Sequence, residues 1–508
     1  MRNSNIIVYN TIVVYSRVAI TTIVTFLSSR WILQALGVED FGLYNLVAGM
    51  LSMLMVLNSS MAASTQRYLA YSIGEGDNSR VKSVFTLGVL IHVFISIIVL
   101  LLIETGGQWF LLNVLSIPFG REDTAIFCLH CLSISTCFSI LSVPYTALLL
   151  SYEKMLFISV IQIIESILKL VTAILLLGCT GDKLKIYVSL ITLISVFASI
   201  SYAIFSYSTC RTCRFSVKHL NKHLFKDFIS FASWSLIGST STMLKNQGLA
   251  MLLNTFFGVV INAAYGIANQ IKGQFMFISS SVVTAAKPQI VQSEGNGNRQ
   301  RSLNLSSSVS KISFLLLSLI SVPFIVEMPT ILEIWLVTVP EYTVSFAVLI
   351  IITNLVFQFF VGAFLPIESV GRIKWVQITV SLCHCMVIPI GYCLLKLGVS
   401  PVILLLVVLI EEIVSLILIL LLSKRIVGLN INEYVKTTIL PPIAILILCT
   451  LIAYVPHYLI LNKWLRLLVV VIVSTLSISL FSYLFALKEY EKNKVKEILK
   501  KIKSTIIL

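Results

Sequence analysis

Seven basic side chains stand inside long apolar runs of this 508-residue chain: Arg17, Arg30, Arg67, Lys169, Lys245, Lys272 and Lys311. Only Glu165, Glu411 and Glu412 oppose them there. A guanidinium or ammonium held away from water is a strong site for an anion. Placing one at a bilayer centre costs about 2.5–3.5 kcal/mol on an insertion scale, so such a residue faces an aqueous cavity or a partner. Glu165 and Lys169 are four apart with the acid first, the order that favours a helical ion pair. Arg30 and Lys311 sit near the ends of their runs, where a long side chain reaches the headgroups. Arg17 and Lys245 sit near the centre, Lys272 is intermediate, and the approach to Arg67 is small and polar ("SSMAASTQR").

Helical spacing gives these cations company. Arg17, Thr21, Thr25 and Ser28 step by three and four, as do Trp234, Gly238, Ser241, Lys245 and Gly248. Tyr265, Asn269, Lys272, Met276 and Ser279 do the same, and Asn45, Gly49, Ser52, Val56, Ser59 and Ala63 lead to Arg67. Each set occupies one face of a helix. Small polar stripes also pack helix on helix, but a cation on all four favours a lined cavity. Arg17, Arg67, Lys245 and Lys272 are therefore the expected anion-binding set. Trp234, Ser239, Ser241, Asn246, Tyr265 and Asn269 could supply hydroxyls, amides and aromatic faces. Glu411 and Glu412 either bind a coupling ion or neutralise a neighbouring cation.

Other chemistries find little support. No G-x-x-x-x-G-K-[ST] sequence is present, so ATP is not hydrolysed through a P-loop. Cys128/Cys131 and Cys210/Cys213 have CxxC spacing without a second ligand pair in one soluble loop. None of the six histidines, at 92, 130, 219, 223, 384 and 457, joins a recognisable catalytic spacing. The expectation is a non-enzymatic protein without metal or cofactor.

The elements that position these residues are membrane helices. Hydrophobic residues make up 57% of the chain and charged ones 12%, with mean hydropathy +0.97. Soluble domains carry about 25% charged residues. Apolar runs of helical length, without strict alternation, exclude a β-barrel. Hydropathy predicts about fourteen spans, at 7–33, 42–72, 83–112, 124–150, 156–178, 186–208, 227–254, 260–287, 309–327, 343–366, 375–396, 400–422, 437–460 and 464–487. The first is retained rather than cleaved, being longer than a signal sequence. With the N-terminus in the cytoplasm, 24 of the 37 lysines and arginines fall on that side and six outside, the asymmetry of the positive-inside rule. Net charge +15 then suits anionic lipid, with no need of nucleic acid.

The chain also repeats itself. Shifted by 221 residues, Gly37-Val38 falls on Gly258-Val259, Tyr44 on Tyr265 and Met55 on Met276. Ser59-Ser60 falls on Ser280-Ser281, Ser72 on Ser293, Gly74-x-Gly76 on Gly295-x-Gly297 and Arg80 on Arg301. Six spans separate the copies, so both run in the same direction, as parallel transporter repeats do. The expected organisation is an N-terminal lobe (1–208, spans 1–6), a basic cytoplasmic linker (209–226), a second lobe (227–425, spans 7–12), two added spans (426–487) and a basic cytoplasmic tail (488–508) on the membrane surface.

The stretches "RWILQALGVEDFGLYNLV" (Arg30 to Val47) and "TQRYLAYSIGEGD" (Thr65 to Asp77) resemble the N-terminal signature of bacterial Wzx-type O-antigen and capsule repeat-unit flippases. These belong to the superfamily that includes lipid II flippases and MATE exporters. The resemblance implies an all-α fold of two six-helix lobes plus two C-terminal helices in a bacterial plasma membrane. It implies alternating-access export of an undecaprenyl-diphosphate-linked oligosaccharide for O-antigen, capsule or exopolysaccharide synthesis, alongside a polysaccharide polymerase. Arg17, Arg67, Lys245 and Lys272 lie on the spans that line the cationic cavity in relatives of that kind. The alternative is a MATE-type multidrug or metabolite antiporter, whose organic cations would call for carboxylates in the membrane.

Overall fold

The computed structural model describes residues 2–113, 117, 120–209, 222–336, 339–487, 489 and 491–492. The side chains of 2–8, 26, 29, 30, 33, 38, 39, 45, 46, 49, 50, 52–57, 222, 259 and 263 lie outside that description. So do the side chains of Arg30, Asn45, Gly49, Ser52 and Val56, the Cys210/Cys213 pair, and nearly all of the basic linker and tail.

The described chain is helical almost throughout. The helices are α1 (Arg2–Glu75), α2 (Asn78–Leu102), α3 (Gln108–Asn113), α4 (Glu122–Ser151), α5 (Met155–Gly178), α6 (Lys183–Thr209), α7 (Lys222–Gly295) and α8 (Arg299–Trp335). They continue as α9 (Thr343–Val370), α10 (Lys374–Lys396), α11 (Val402–Val427), α12 (Ile431–Tyr434), α13 (Leu440–Leu459) and α14 (Lys463–Phe481). A π-helical turn joins α2 to α3, and another joins α12 to α13. Among the described residues, ten helical stretches are long and apolar enough to cross a membrane. In lipid every backbone amide must be satisfied within its segment, and helices do this. The protein is a multi-pass, all-α membrane protein.

Helices α1 and α7 are each 74 residues long. An unbroken helix of that length would run roughly 110 Å, against a hydrocarbon core of about 30 Å. Each is broken once. Gly37 (φ 78, ψ 173) interrupts α1, and Gly258 (φ 81, ψ −174) interrupts α7. Positive φ with extended ψ is open only to glycine. The predicted spans 7–33 and 42–72 flank the first break, and 227–254 and 260–287 flank the second.

The 221-residue repeat is therefore conformational as well as compositional. Beyond the two breaks, Gly76 (φ 75) and Gly297 (φ 72) end the corresponding helices. The next helix is then capped by Asp77 accepting from Ser79 N–H and Arg80 N–H, or by Asn298 accepting from Arg301 N–H. The helix ends also touch. A Cβ on Gly74 would lie 2.3 Å from the Gln292 carbonyl oxygen, and a Cβ on Gly295 would lie 2.3 Å from that of Tyr71. Positions 71 and 292 are again 221 apart, so the contact is reciprocal.

The helices form two compact units. The first comprises described residues within 1–240, 284–302 and 368–377. In it, Leu149, Ile158, Ile161, Ala198 and Tyr202 pack α4, α5 and α6 together. The second comprises described residues within 241–283, 303–367 and 378–508. Here Leu315, Val322, Val326, Ile445, Cys449 and Val470 join α8 to α13 and α14. A kink in α8 at Glu327, between Pro323 and Pro329, turns that carboxylate onto His457 Nδ1 (2.7 Å) and Arg466 Nε (2.9 Å).

Candidate functional site

The second unit gathers most of the polar residues that the sequence singled out. Along α7, Ser241 and Lys245 share a face with Gly248, where a Cβ would lie 2.5 Å from Ile388 Cδ1. Glycine thus lets α10 close on α7. Lys245, 6% exposed, donates to Glu411 Oε2 at 2.8 Å. Glu411 Oε1 accepts from Ser415 Oγ at 2.9 Å, and His384 Nε2 stands 3.6 Å away from it. The other ring nitrogen of His384 lies 3.2 Å from Ser241 Oγ and 3.3 Å from Thr242 Oγ1. Glu412 is buried beside this group, within electrostatic reach of Lys245 and Lys272. One ammonium and one carboxylate thus pair here, with Glu412 and Lys272 within electrostatic reach, all four on predicted spans.

Lys272 occupies a different setting. The break at Gly258 divides α7 into two arms, and both line a cavity of about 530 Å³. Asn246 and Gln247 come from the first arm, and Asn262, Tyr265, Asn269 and Lys272 from the second. Asn269 donates to the Tyr265 carbonyl at 3.1 Å, which fixes the amide. Among the described residues, Lys272 makes no salt bridge within 4.0 Å, and no carboxylate belongs to the cavity lining. Its polar groups are amides, a phenol and one ammonium, set among Ala250, Met276 and two glycines, a surface suited to a polyhydroxylated or anionic solute.

The remaining candidates belong to the first unit. Arg17 on α1 is half-buried and donates to Gln162 Oε1 on α5. Arg67 is 5% exposed and caps a helix end: Nε and a terminal nitrogen donate to the Ser369 carbonyl at 3.2 and 3.0 Å. Its guanidinium lies 4.3 Å from the Tyr68 ring centroid. A cation on the last carbonyls of α9 offsets that helix's dipole. Trp234 lies under the Lys374 ammonium at 5.5 Å, and Ser239 bonds its own helix at the Ser235 carbonyl.

Three of the seven intramembrane cations read from the sequence, Lys169, Lys245 and Lys311, pair with carboxylates. Lys169 pairs with Glu165 at 2.7 Å, as its spacing predicts. Lys311 pairs with Glu491 at 2.6 Å and also donates to the Ala486 carbonyl. Glu491 belongs to the tail, outside every hydropathic run, so no count of in-span acids could include it. The sequence reading also passed over His384. Its one signal was a histidine between two cysteines in an apolar helix, which carries no information about a partner on α7 or α11.

No family model matches the chain. It is similar to an uncharacterized membrane protein, EpsK, of Bacillus subtilis (strain 168), with 19% identity over 290 residues, a match spanning 57% of each chain. Among solved structures it resembles MATE in the straight conformation, with TM-score 0.72, 14% identity, and coverage of 86% of this chain and 97% of that one. It likewise resembles an outward-facing multidrug resistance MATE family transporter of the MOP superfamily, with TM-score 0.71, 14% identity and the same coverage. A third is a MOP superfamily transporter from Pyrococcus furiosus whose binding pocket has reverse polarity, suggesting a different function. It gives TM-score 0.71 and 13% identity, again covering 86% and 97%. The fold is that of the MATE/MOP transporters.

Proposed function

We propose that this chain is an alternating-access exporter whose cargo is an anionic, sugar-bearing lipid, namely a polyprenyl-diphosphate-linked oligosaccharide bound for surface polysaccharide. The observation that carries this reading is Lys272, an ammonium without a salt-bridge partner among the described residues, in a cavity walled by Asn246, Gln247, Asn262, Tyr265 and Asn269. A diphosphate leaving water needs a cation, and sugar hydroxyls need amides and aromatic edges. An interior-negative potential favours outward passage of the anion by about 2.3 kcal/mol per charge per 100 mV. In this reading the two arms of α1 and of α7 are four spans that complete a set of fourteen. The two repeats are the moving lobes, and both termini lie in the cytoplasm of a bacterial inner membrane. Lipid surrounds the chain, and a polymerase takes up the product.

A second reading is a MATE-type drug or metabolite antiporter. The likeness to multidrug transporter structures favours it, and so does the buried group of Lys245, Glu411, Glu412 and His384, which could bind a coupling proton. The two readings separate in the native host, comparing surface glycan in wild type, Lys272→Ala and a full deletion at matched protein levels. Loss of surface glycan with lipid-linked units accumulating inside supports the flippase. Normal glycan in the deletion refutes it and leaves the antiporter.

A further inference from the structure

A second cavity, of about 780 Å³, opens in the first unit where the α4–α5 turn meets the start of α1 and the end of α7. Its lining has two parts. Tyr9, Leu156, Phe157, Val160 and Phe205 are apolar or aromatic, and Asn10, Glu153, Lys154 and Gln292 are polar. The volume suits a ligand of ordinary small-molecule size. Two of its residues, Asn10 and Glu153, point to a polar ligand.

Asn10 is 2% exposed, and its amide nitrogen has no hydrogen-bond partner among the described residues. A buried donor left unpaired is costly and calls for a partner. Among the described residues, Glu153 is one of two non-glycine residues with positive φ, at 59°. The matching turn between α9 and α10 has Gly371 in that place (φ 88), two residues after Ser369 as Glu153 is two after Ser151. Glycine would be the unstrained choice, so the carboxylate is retained against a backbone cost. Lys154, exposed and next in sequence, adds a lysine to the same lining. Glu153 accepts from Gln289 at 3.1 Å, and burial pushes its carboxyl above the ordinary range despite that bond and Arg301 nearby. A cation brought into the cavity would offset this.

The apolar half shows where the ligand comes from. Leu156 and Val160 are 49% and 42% exposed, and Ile164, Ile167, Leu168 and Val171 continue this outer face along α5. The cavity is thus continuous with a lipid-facing surface, which points to a membrane amphiphile over a soluble metabolite. One cation, one anion and one amide donor at the head of that track match a headgroup bearing both a phosphate and a free ammonium.

We propose that this cavity binds a phospholipid with an ethanolamine-type zwitterionic headgroup. The phosphate meets Lys154 and the Asn10 amide, the ammonium meets Glu153, and an acyl chain runs along Leu156 and Val160. The proposal is independent of the cargo.

The test is thermal unfolding of the purified full chain on titration with phosphatidylethanolamine, phosphatidylcholine or phosphatidylglycerol, with native mass spectrometry counting bound lipid. Wild type is expected to gain most from phosphatidylethanolamine, with an apparent affinity about tenfold above that for phosphatidylcholine, one ion-pair's worth of discrimination. Glu153→Gly relieves the turn, so it folds at least as well without lipid, yet it loses that preference. Asn10→Ser, which keeps a donor of smaller reach, weakens binding of all three lipids. Equal response of wild type and Glu153→Gly to phosphatidylethanolamine overturns the proposal. So does stabilisation of wild type by phosphatidylglycerol equal to that by phosphatidylethanolamine, or no selective response at all.

Discussion

The reciprocal crossing of Gly74 and Gly295 makes a quantitative prediction. A methyl on Gly74 would stand 2.3 Å from the Gln292 carbonyl oxygen and under 3.0 Å from two more of its backbone atoms, where ordinary contact begins near 3.4 Å. No side-chain rotation relieves a clash with backbone, so the two helix ends must separate by about 1 Å. Overpacking of this kind costs about 1–3 kcal/mol, a fall in Tm of roughly 1–3 °C for a chain of this length. Gly295→Ala meets the Tyr71 carbonyl at the same 2.3 Å and should cost the same. Because either methyl forces the same separation, the second is nearly free once the first is present. The double variant should lose about as much as one single, giving a coupling energy near 2 kcal/mol for residues in contact. Gly42→Ala is the control. Gly42 is helical with nothing within 4 Å of a Cβ, and the second repeat has Ala263 there. It should be neutral or gain up to about 1 kcal/mol in helix propensity. Thermal unfolding of the four proteins in one detergent decides the matter. Additive losses, or a Gly74→Ala as mild as Gly42→Ala, would refute the reciprocal contact.

Three further outcomes are expected. Lys245→Met strands the buried Glu411 carboxylate and should lower stability by about 3–5 kcal/mol, whereas Lys245→Met/Glu411→Met recovers most of that loss, read by unfolding in detergent. Arg67→Lys keeps the charge but gives up the two-pronged bond to the Ser369 carbonyl and the stack on Tyr68, so a loss of about 1–3 kcal/mol is expected, seen as a lower Tm. At the loop cluster where Arg121 bridges Asp40 and Asp182, burial opposes the Asp182 charge, but bonds from Thr124, the Lys185 N–H and Arg121 outweigh it and hold the pKa below its ordinary 3.8. Its stabilisation is therefore complete above about pH 4 and fades as the pH falls further, so the wild-type Tm should drop more steeply than that of Asp182→Asn below pH 4.

The helices were legible because lipid imposes a one-dimensional rule. A run must be apolar and long enough to satisfy its own backbone; ten of the fourteen predicted spans fall within a described helix, and the other four (83–112, 400–422, 437–460 and 464–487) overlap one while running into a π-helical turn or past its end. Gly37 and Gly258 were legible for a related reason. Their backbone is open only to glycine, so the repeat preserves the residue, and aligning the chain with itself finds it. The pairings were not legible. Lys245 meets Glu411 across 166 residues, and Lys311 meets Glu491 across 180. Nothing local distinguishes a paired lysine from one that faces a cavity. The helical stripes of Arg17, Arg67, Lys245 and Lys272 look alike in sequence, yet the four meet an amide, a helix C-terminus, a carboxylate and an open cavity. Which cation meets which partner depends on helix rotation and tertiary packing, which hydropathy does not encode.

The most direct test of the transport account uses purified protein in liposomes with a polyprenyl diphosphate carrying a fluorescent disaccharide. Protection of the label from a membrane-impermeant quencher reports the leaflet. Wild type is expected to move the lipid between leaflets, faster under an interior-negative potential, and Lys272→Ala to slow it about tenfold or more at unchanged Tm, the loss of one charge-assisted contact. No movement by wild type, in vesicles that do exchange an organic cation for protons, would contradict the account.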